Sequence, residues 1–185
     1  MKMPDIDILN QMIKDSAKVQ LSNHYNRMKA ELTEPAHPCS STVIYGIPEN
    51  AVVIKVDVFS SPDTVFVGSK GECKRADYVI ISNADGKKVV IYIEMKAMKG
   101  HPAEIIQQLN GARCFIAYCQ EIGKAFWDKS DFLKKYRQCF VSIGHTSIPK
   151  RKTRITRESG KHDRPEKMLK IDWPHHLQFN QLAGA

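Results

Sequence analysis

Asp85-Gly86 stands between two β-rich runs, Tyr78-Val79-Ile80-Ile81-Ser82 before it and Val89-Val90-Ile91-Tyr92-Ile93-Glu94 after it. An Asp-Gly pair so placed is the strongest short-range signal for a two-residue hairpin turn, because both residues tolerate positive φ. Such a turn sets the register of the whole pair of strands. With Ala84 facing Lys87, counting outward from the turn brings Asp77 opposite Glu94.

Directly opposed residues on one face of an antiparallel pair hold their Cβ atoms about 4.5–5.5 Å apart, and like charges there repel. A divalent cation relieves that repulsion, since a hard ion such as Mg²⁺ collects carboxylate oxygens and keeps several waters. Period two also puts Glu94 and Lys96 on one face of the second strand, with Ile93 and Met95 on the other. Asp77, Glu94 and Lys96 thus form one cluster. The plainer alternative for these charges is a solvated surface group or a structural ion pair.

An Asp at the start of one strand, Glu-x-Lys at the end of the next and a helix carrying Gln after it resemble the PD-(D/E)xK nuclease superfamily, the restriction-endonuclease-like fold. The resemblance covers about Gly71 to Ala112. It implies an α/β fold with an α-β-β-β-α-β core, a central mixed sheet flanked by helices. It also implies Asp77 and Glu94 as metal ligands, the Met95 backbone carbonyl as a third, and Lys96 as the residue that orients or deprotonates the attacking water. Mg²⁺ would be the cofactor, with Mn²⁺ able to substitute. Because the family often adds an acid from its N-terminal helix, Glu31 is the candidate for a further carboxylate, with Glu34 and Asp57 behind it. The chain departs from the family in two places. Ala76 stands where the motif has Pro, and the Gln-x-x-x-Tyr of the exonuclease branch is missing, because Gly111 and Ala112 follow Gln107 and Gln108 at that spacing.

Periodicity supplies the remaining elements. Apolar residues at Ile6, Leu9, Ile13, Tyr25, Met28 and Leu32, with good helix formers between them, predict one or two helices from Pro4 to about Leu32. Pro35, Pro38 and the serines that follow predict a loop. Ala51 to Phe59 alternates as a strand. Pro102 suits the first turn of a helix and Glu104 complements its dipole. Ile105, Leu109, Ala112, Ile116 and Cys119 then form an apolar stripe reaching about Ile122. A second, more polar helix is expected from about Lys124 to Arg137, and a short strand from Cys139 to Gly144. Gln107 and Gln108, near the start of the long helix, are candidate substrate contacts, with a plain solvent-facing role as the alternative.

Charge points to a polyanion. The chain carries a formal net charge of +8, and Pro149 to Lys170 alone contributes nine Lys or Arg against three acids. Each phosphate neutralised by such residues releases condensed counterions and drives binding. This stretch, expected as a mobile loop over 149–170, makes Lys150, Arg151, Lys152, Arg154 and Arg157 candidate substrate contacts. Five cysteines without C-x-x-C spacing indicate neither a disulfide framework nor a zinc site, and most are expected as buried thiols. No run approaches the eighteen or so apolar residues of a membrane span. Asp5 and Asp7 so close to Met1 leave no apolar signal core, so the expected location is cytoplasmic.

These features together lead to one expected domain over 1–185, a Mg²⁺-dependent nuclease that hydrolyses phosphodiester bonds, with DNA as substrate and endonucleolytic cutting. Cleaving both strands of a duplex calls for two active sites, so a homodimer is an expected partner arrangement. The alternative is a nucleic-acid-binding or interaction module on the same fold that has lost its chemistry.

Overall fold

A computed structural model describes residues 3–34, 37–84, 86–146, 153–156, 161–174 and 176–184. The hairpin forms in the expected register. β5 (Tyr78–Ala84) pairs antiparallel with β6 (Lys87–Met95), Ala84 against Lys87 and Tyr78 against Ile93. Gly86 takes the positive φ of +74° that the turn requires, while Asp85 lies outside the described residues.

The hairpin is the centre of a mixed six-stranded sheet. β4 (Ala51–Lys55) pairs antiparallel with β5. β7 (Arg137–Gly144) runs parallel to β6, and β9 (Leu169–Asp172) parallel to β7. β8 (Arg154–Thr156) closes the edge antiparallel to β9, giving the order β4-β5-β6-β7-β9-β8. A second mixed sheet joins β1 (Ser22–His24), β2 (Arg27–Glu34), β3 (His37–Ile47) and β10 (Leu177–Gln178) in that order, with β10 parallel to β3. The architecture is therefore mixed α/β with two mixed sheets and few helices.

Both faces of the large sheet are buried, so its strands read as near-continuous apolar runs. On one face Val53, Ile80, Ile91, Ile93, Met95 and Val141 pack against Ala30, Leu32, Ile44 and Ile47 of the small sheet and against Phe179 and Leu182 of α3 (Phe179–Leu182). On the other, Val52, Ile54, Val79, Val90, Tyr92 and Phe140 meet α1 (Asp5–Met12) and α2 (Pro102–Phe126). The buried stripe of α2 is Ile105, Leu109, Ala112, Ile116, Cys119 and Gly123, spaced as an amphipathic helix demands. Among the described residues no helix is both long and apolar enough to cross a membrane.

Several expectations change. The helix expected from Pro4 to Leu32 stops at Met12. After a short 3₁₀ turn, Asp15–Ala17, the chain turns to strands β1 and β2. In β2, Ala30, Leu32 and Glu34 are buried while the residues between them are more open, a period-two pattern written in helix-forming residue types; packing against β3 overrides propensity. Of the expected loop, Pro35 lies outside the described residues, and from His37 the chain is β3, where Thr42, Val43, Ile44 and Tyr45 are the strand signal. The strand expected to Phe59 ends at Lys55. The second polar helix from Lys124 does not form. α2 runs on to Phe126, and turns follow in which Asp128 and Leu133 take positive φ while Phe132, Leu133 and Tyr136 are buried beneath the helix end. The basic stretch 149–170 is not simply a loop, because it holds β8 and the start of β9, with Leu169 fully buried. Of the cysteines, Cys119 and Cys139 are buried, Cys73 is half-buried and Cys114 exposed; all four are free thiols.

α2 approaches the segment before β5 closely enough that a Cβ on Gly111 would overlap the Lys74 carbonyl oxygen. This contact seats the helix over the hairpin. Gly111→Ala should gain about 1 kcal/mol of helix propensity yet lose about 1–3 kcal/mol to overpacking against rigid backbone. Urea unfolding should show a net loss of stability; a gain would mean that the helix is not held there.

Candidate active site

Asp77 sits one residue before β5, and Glu94 and Lys96 bracket the end of β6. Extending the hairpin register by one pair puts Asp77 across from Glu94, as the sequence predicts. The site is asymmetric. Glu94 has no solvent exposure, whereas the Lys96 side chain keeps 26 % of its surface. Alternation sends Ile93 and Met95 into the core under the small sheet and turns Glu94 toward the α2 face with Val90 and Tyr92.

Each group is held by a named contact. The Met95 N–H donates to Asp77 Oδ2 at 2.7 Å, and the Val56 N–H donates to the Asp77 carbonyl at 2.8 Å, so Asp77 is fixed by both neighbouring strands. Lys96 Nζ lies 2.8 Å from Glu94 Oε1. Glu94 Oε2 is shielded from solvent and has no hydrogen-bond partner among the described residues. The Asp77 N–H is close enough to help hold the Glu94 charge, yet the unpartnered oxygen still costs free energy that a bound cation would offset.

The electrostatics follow from burial. Desolvation pushes the Asp77 carboxyl up to about 7, against the opposing pull of the Met95 N–H and the Lys96 charge, with Asp57 and Glu34 adding to the rise. Desolvation and then the Asp77 charge push Glu94 up to about 8, with Lys96 opposing. The two titrate as a pair and retain a proton between them near neutrality. For Lys96, burial alone would favour the neutral amine, but the negative charges of Glu94 and Asp77 outweigh it and raise its pKa above the ordinary lysine value.

Of the three supporting acids expected, Asp57 and Glu34 rather than Glu31 bear on Asp77. Glu31 is on a strand of the small sheet, not on an N-terminal helix, and its side chain is exposed in a neighbouring cleft beside Lys18, Lys55, Asp57 and Tyr78. Glu34 is the buried acid of this strand, 6 % exposed, with Oε2 unpartnered among the described residues. Its charge reaches Asp77 because the Tyr78 hydroxyl bonds both the carbonyl and the N–H of Thr33, tying β2 to β5 next to the site.

Gln107 does not face the cluster. Its amide nitrogen donates to the Lys70 carbonyl at 3.3 Å and its chain packs against Gly71. Gln108 is half-buried on α2 with Oε1 unpartnered among the described residues. Arg154 is exposed on the edge strand β8, across from Asp172. Lys150, Arg151, Lys152 and Arg157 lie outside the described residues.

Two carboxylates present an oxygen-only donor set, which suits a hard divalent cation, and the unpartnered Glu94 oxygen fits the same role. Among the described residues no group of three or more His, Cys, Asp or Glu side chains is gathered to hold an ion. An ion at this pair would complete its shell with water and ligand oxygens, the usual habit of Mg²⁺. No family model matches this chain, and no curated protein or solved structure matches it significantly.

The strand ends hold one further group, in which a histidine outside any metal-binding sequence pattern meets a carboxylate. His145 and Asp172 follow or close the parallel strands β7 and β9, with Nδ1 2.9 Å from Oδ1. The available signal was that each apolar strand ends in a polar, ionisable residue on the same edge as Lys96.

A carboxyl whose pKa is raised on folding contributes stability that is complete below its unfolded value, here 3.8 for Asp77 and 4.5 for Glu94, and that fades as pH rises through about 7 and 8. Metal-free protein should therefore lose thermal stability across that interval. Glu94→Gln should flatten the loss and, above about pH 8, melt higher than the wild type. An unchanged pH slope in Glu94→Gln, read by calorimetry, would show that the pair does not carry this burden.

Proposed function

We propose that this protein is a metal-dependent phosphodiesterase acting on nucleic acid, with β4, β5, β6, α2 and β7 as a restriction-endonuclease-like core and endonucleolytic cutting of DNA as its activity. The observation that carries the reading is the fully buried Glu94 beside the half-buried Asp77, with Lys96 Nζ 2.8 Å from Glu94. A structural ion pair would need only one carboxylate for one lysine. Here a second, half-buried carboxylate shares the same space, at a cost in desolvation and repulsion that a cation would remove.

Asp77 and Glu94 would hold Mg²⁺ or Mn²⁺, with the Met95 carbonyl as a further candidate. When bound, such an ion neutralises charge on the scissile phosphate and lowers the pKa of water. The chain's own residues do the rest. Met95 N–H keeps Asp77 pointed at the site. Lys96, charged and only partly exposed, is placed to orient the attacking water and to offset the negative charge that builds on the phosphate. The net charge of +8 favours a polyanionic substrate. Free thiols at Cys73, Cys114, Cys119 and Cys139 accord with a reducing, cytoplasmic setting.

Supercoiled plasmid, single-stranded DNA and RNA incubated with Mg²⁺, Mn²⁺ or EDTA test this directly. Cutting should require metal, fall by about 10²-fold or more in Lys96→Ala, and disappear in Asp77→Asn and Glu94→Gln with folding intact. Binding without cutting in every metal would leave a nucleic-acid-binding module instead.

A further inference from the structure

Beyond the carboxylate pair, the same edge of the large sheet opens into a cleft of about 220 Å³, with an apolar floor that includes Pro102, Ile105 and Met168 and a charged rim of Lys96, Lys99, His145, Lys170 and Asp172. Three lysines and a histidine face a single carboxylate there. Pockets that enclose drug-sized ligands run to roughly 300–1,000 Å³, so this one suits a single charged group better than a whole nucleoside. Lys96 lines this cleft and also contacts Glu94, which makes the two sites neighbours.

The wall of the cleft is built, not incidental. Asp172, an acceptor when ionised, fixes the proton of His145 on Nδ1, so Nε2 is the ring nitrogen that can meet a ligand. Trp173 stacks on the imidazole with centroids 4.8 Å apart and planes at 20°. His145 and Trp173 both take left-handed backbone conformations, φ +56° and +51°, which are costly for side chains of this size. Gly144 leaves the room that Asp172 needs, since a Cβ there would lie 2.8 Å from Oδ1. On the edge strand, Arg154 sits across from Asp172 and so on the same face of the sheet.

We infer that this cleft is a phosphate-binding subsite, in which Lys99, Lys170 and His145, held by Asp172 and Trp173, grip a non-scissile backbone phosphate next to the one placed at Asp77 and Glu94. The assignment of a nucleic-acid phosphate rests on the proposed hydrolytic reading. His145 serves as a contact residue, Asp172 as a positioning residue that sets its tautomer, and Arg154 extends the basic track along the rim.

The test is fluorescence anisotropy of a short fluorescein-labelled DNA duplex in EDTA across a salt series, with inorganic phosphate as competitor. Because both lysines grip one phosphate, Lys99→Ala with Lys170→Ala should reduce the slope of log affinity against log salt by about 1, and His145→Gln should weaken binding about tenfold. Inorganic phosphate should displace duplex from the wild type and compete less well in His145→Gln. Unchanged slope and affinity in a folded double variant, or no binding by the wild type, overturns the subsite. The outcomes separate the two claims: metal-dependent cutting with unaltered variant binding sinks the subsite alone, while a flattened slope without cutting in any metal sinks the hydrolytic reading and leaves the subsite standing.

Discussion

The repulsion between Asp77 and Glu94 is the constraint around which the rest of the molecule is arranged. Both are desolvated, both have carboxyl pKa values raised by burial, and Glu94 has an oxygen with no hydrogen bond among the described residues. Chains do not keep two such groups together at paired strand ends for stability, since apolar residues of similar size would pack there at lower cost. The sheet tolerates the pair because the hairpin on which they lie is overdetermined. It has apolar contacts on both faces, paired strands on both sides, and α2 seated above it by the close approach of Gly111 to Lys74.

Two further contacts translate that rigidity into site geometry. Met95 N–H holds the Asp77 carboxylate from within β6, so the acid of one strand is aimed by the backbone of the other. The Tyr78 hydroxyl fastens Thr33 of the small sheet and brings the charge of Glu34 to bear on Asp77. The small sheet is thus more than a cover for the apolar face. It supplies part of the negative potential at the cluster. On the far side, Lys96 joins the carboxylates to a cleft whose other charges are mostly basic. Negative and positive groups therefore lie side by side at one edge, the arrangement proposed here for gripping a phosphodiester through a cation on one side and through lysines on the other.

What could be read in advance was local. The Asp-Gly turn specified a register, the register paired Asp77 with Glu94, and the apolar stripe of α2 carried a clear helical period from Ile105 to Cys119. What could not be read depended on tertiary context. β2 is rich in Met, Lys, Ala, Glu and Leu, good helix formers, and it is a strand because β3 pairs with it and its Ala30 and Leu32 pack on the large sheet. Because this segment is a strand, alternation buries Glu34 and leaves Glu31, the first of the three candidate acids, exposed. The segment after α2 has charges enough for a solvent-exposed helix, but Phe132, Leu133 and Tyr136 are consumed by the core in turns. The His145 and Asp172 pair lies 27 residues apart in sequence and meets only because β7 and β9 are parallel neighbours. Long-range parallel pairing leaves no short-range mark.

Proton release on metal binding probes the central claim most directly. Calorimetric titration of Mn²⁺ near pH 7.5, in buffers of different ionisation enthalpy, reports how many protons leave when the ion binds. Because the buried pair retains a proton at that pH and ligating carboxylates must be ionised, the account predicts roughly one proton released per site, lost in Glu94→Gln. Binding with no proton release, or heat unaffected by replacing Glu94, would contradict it.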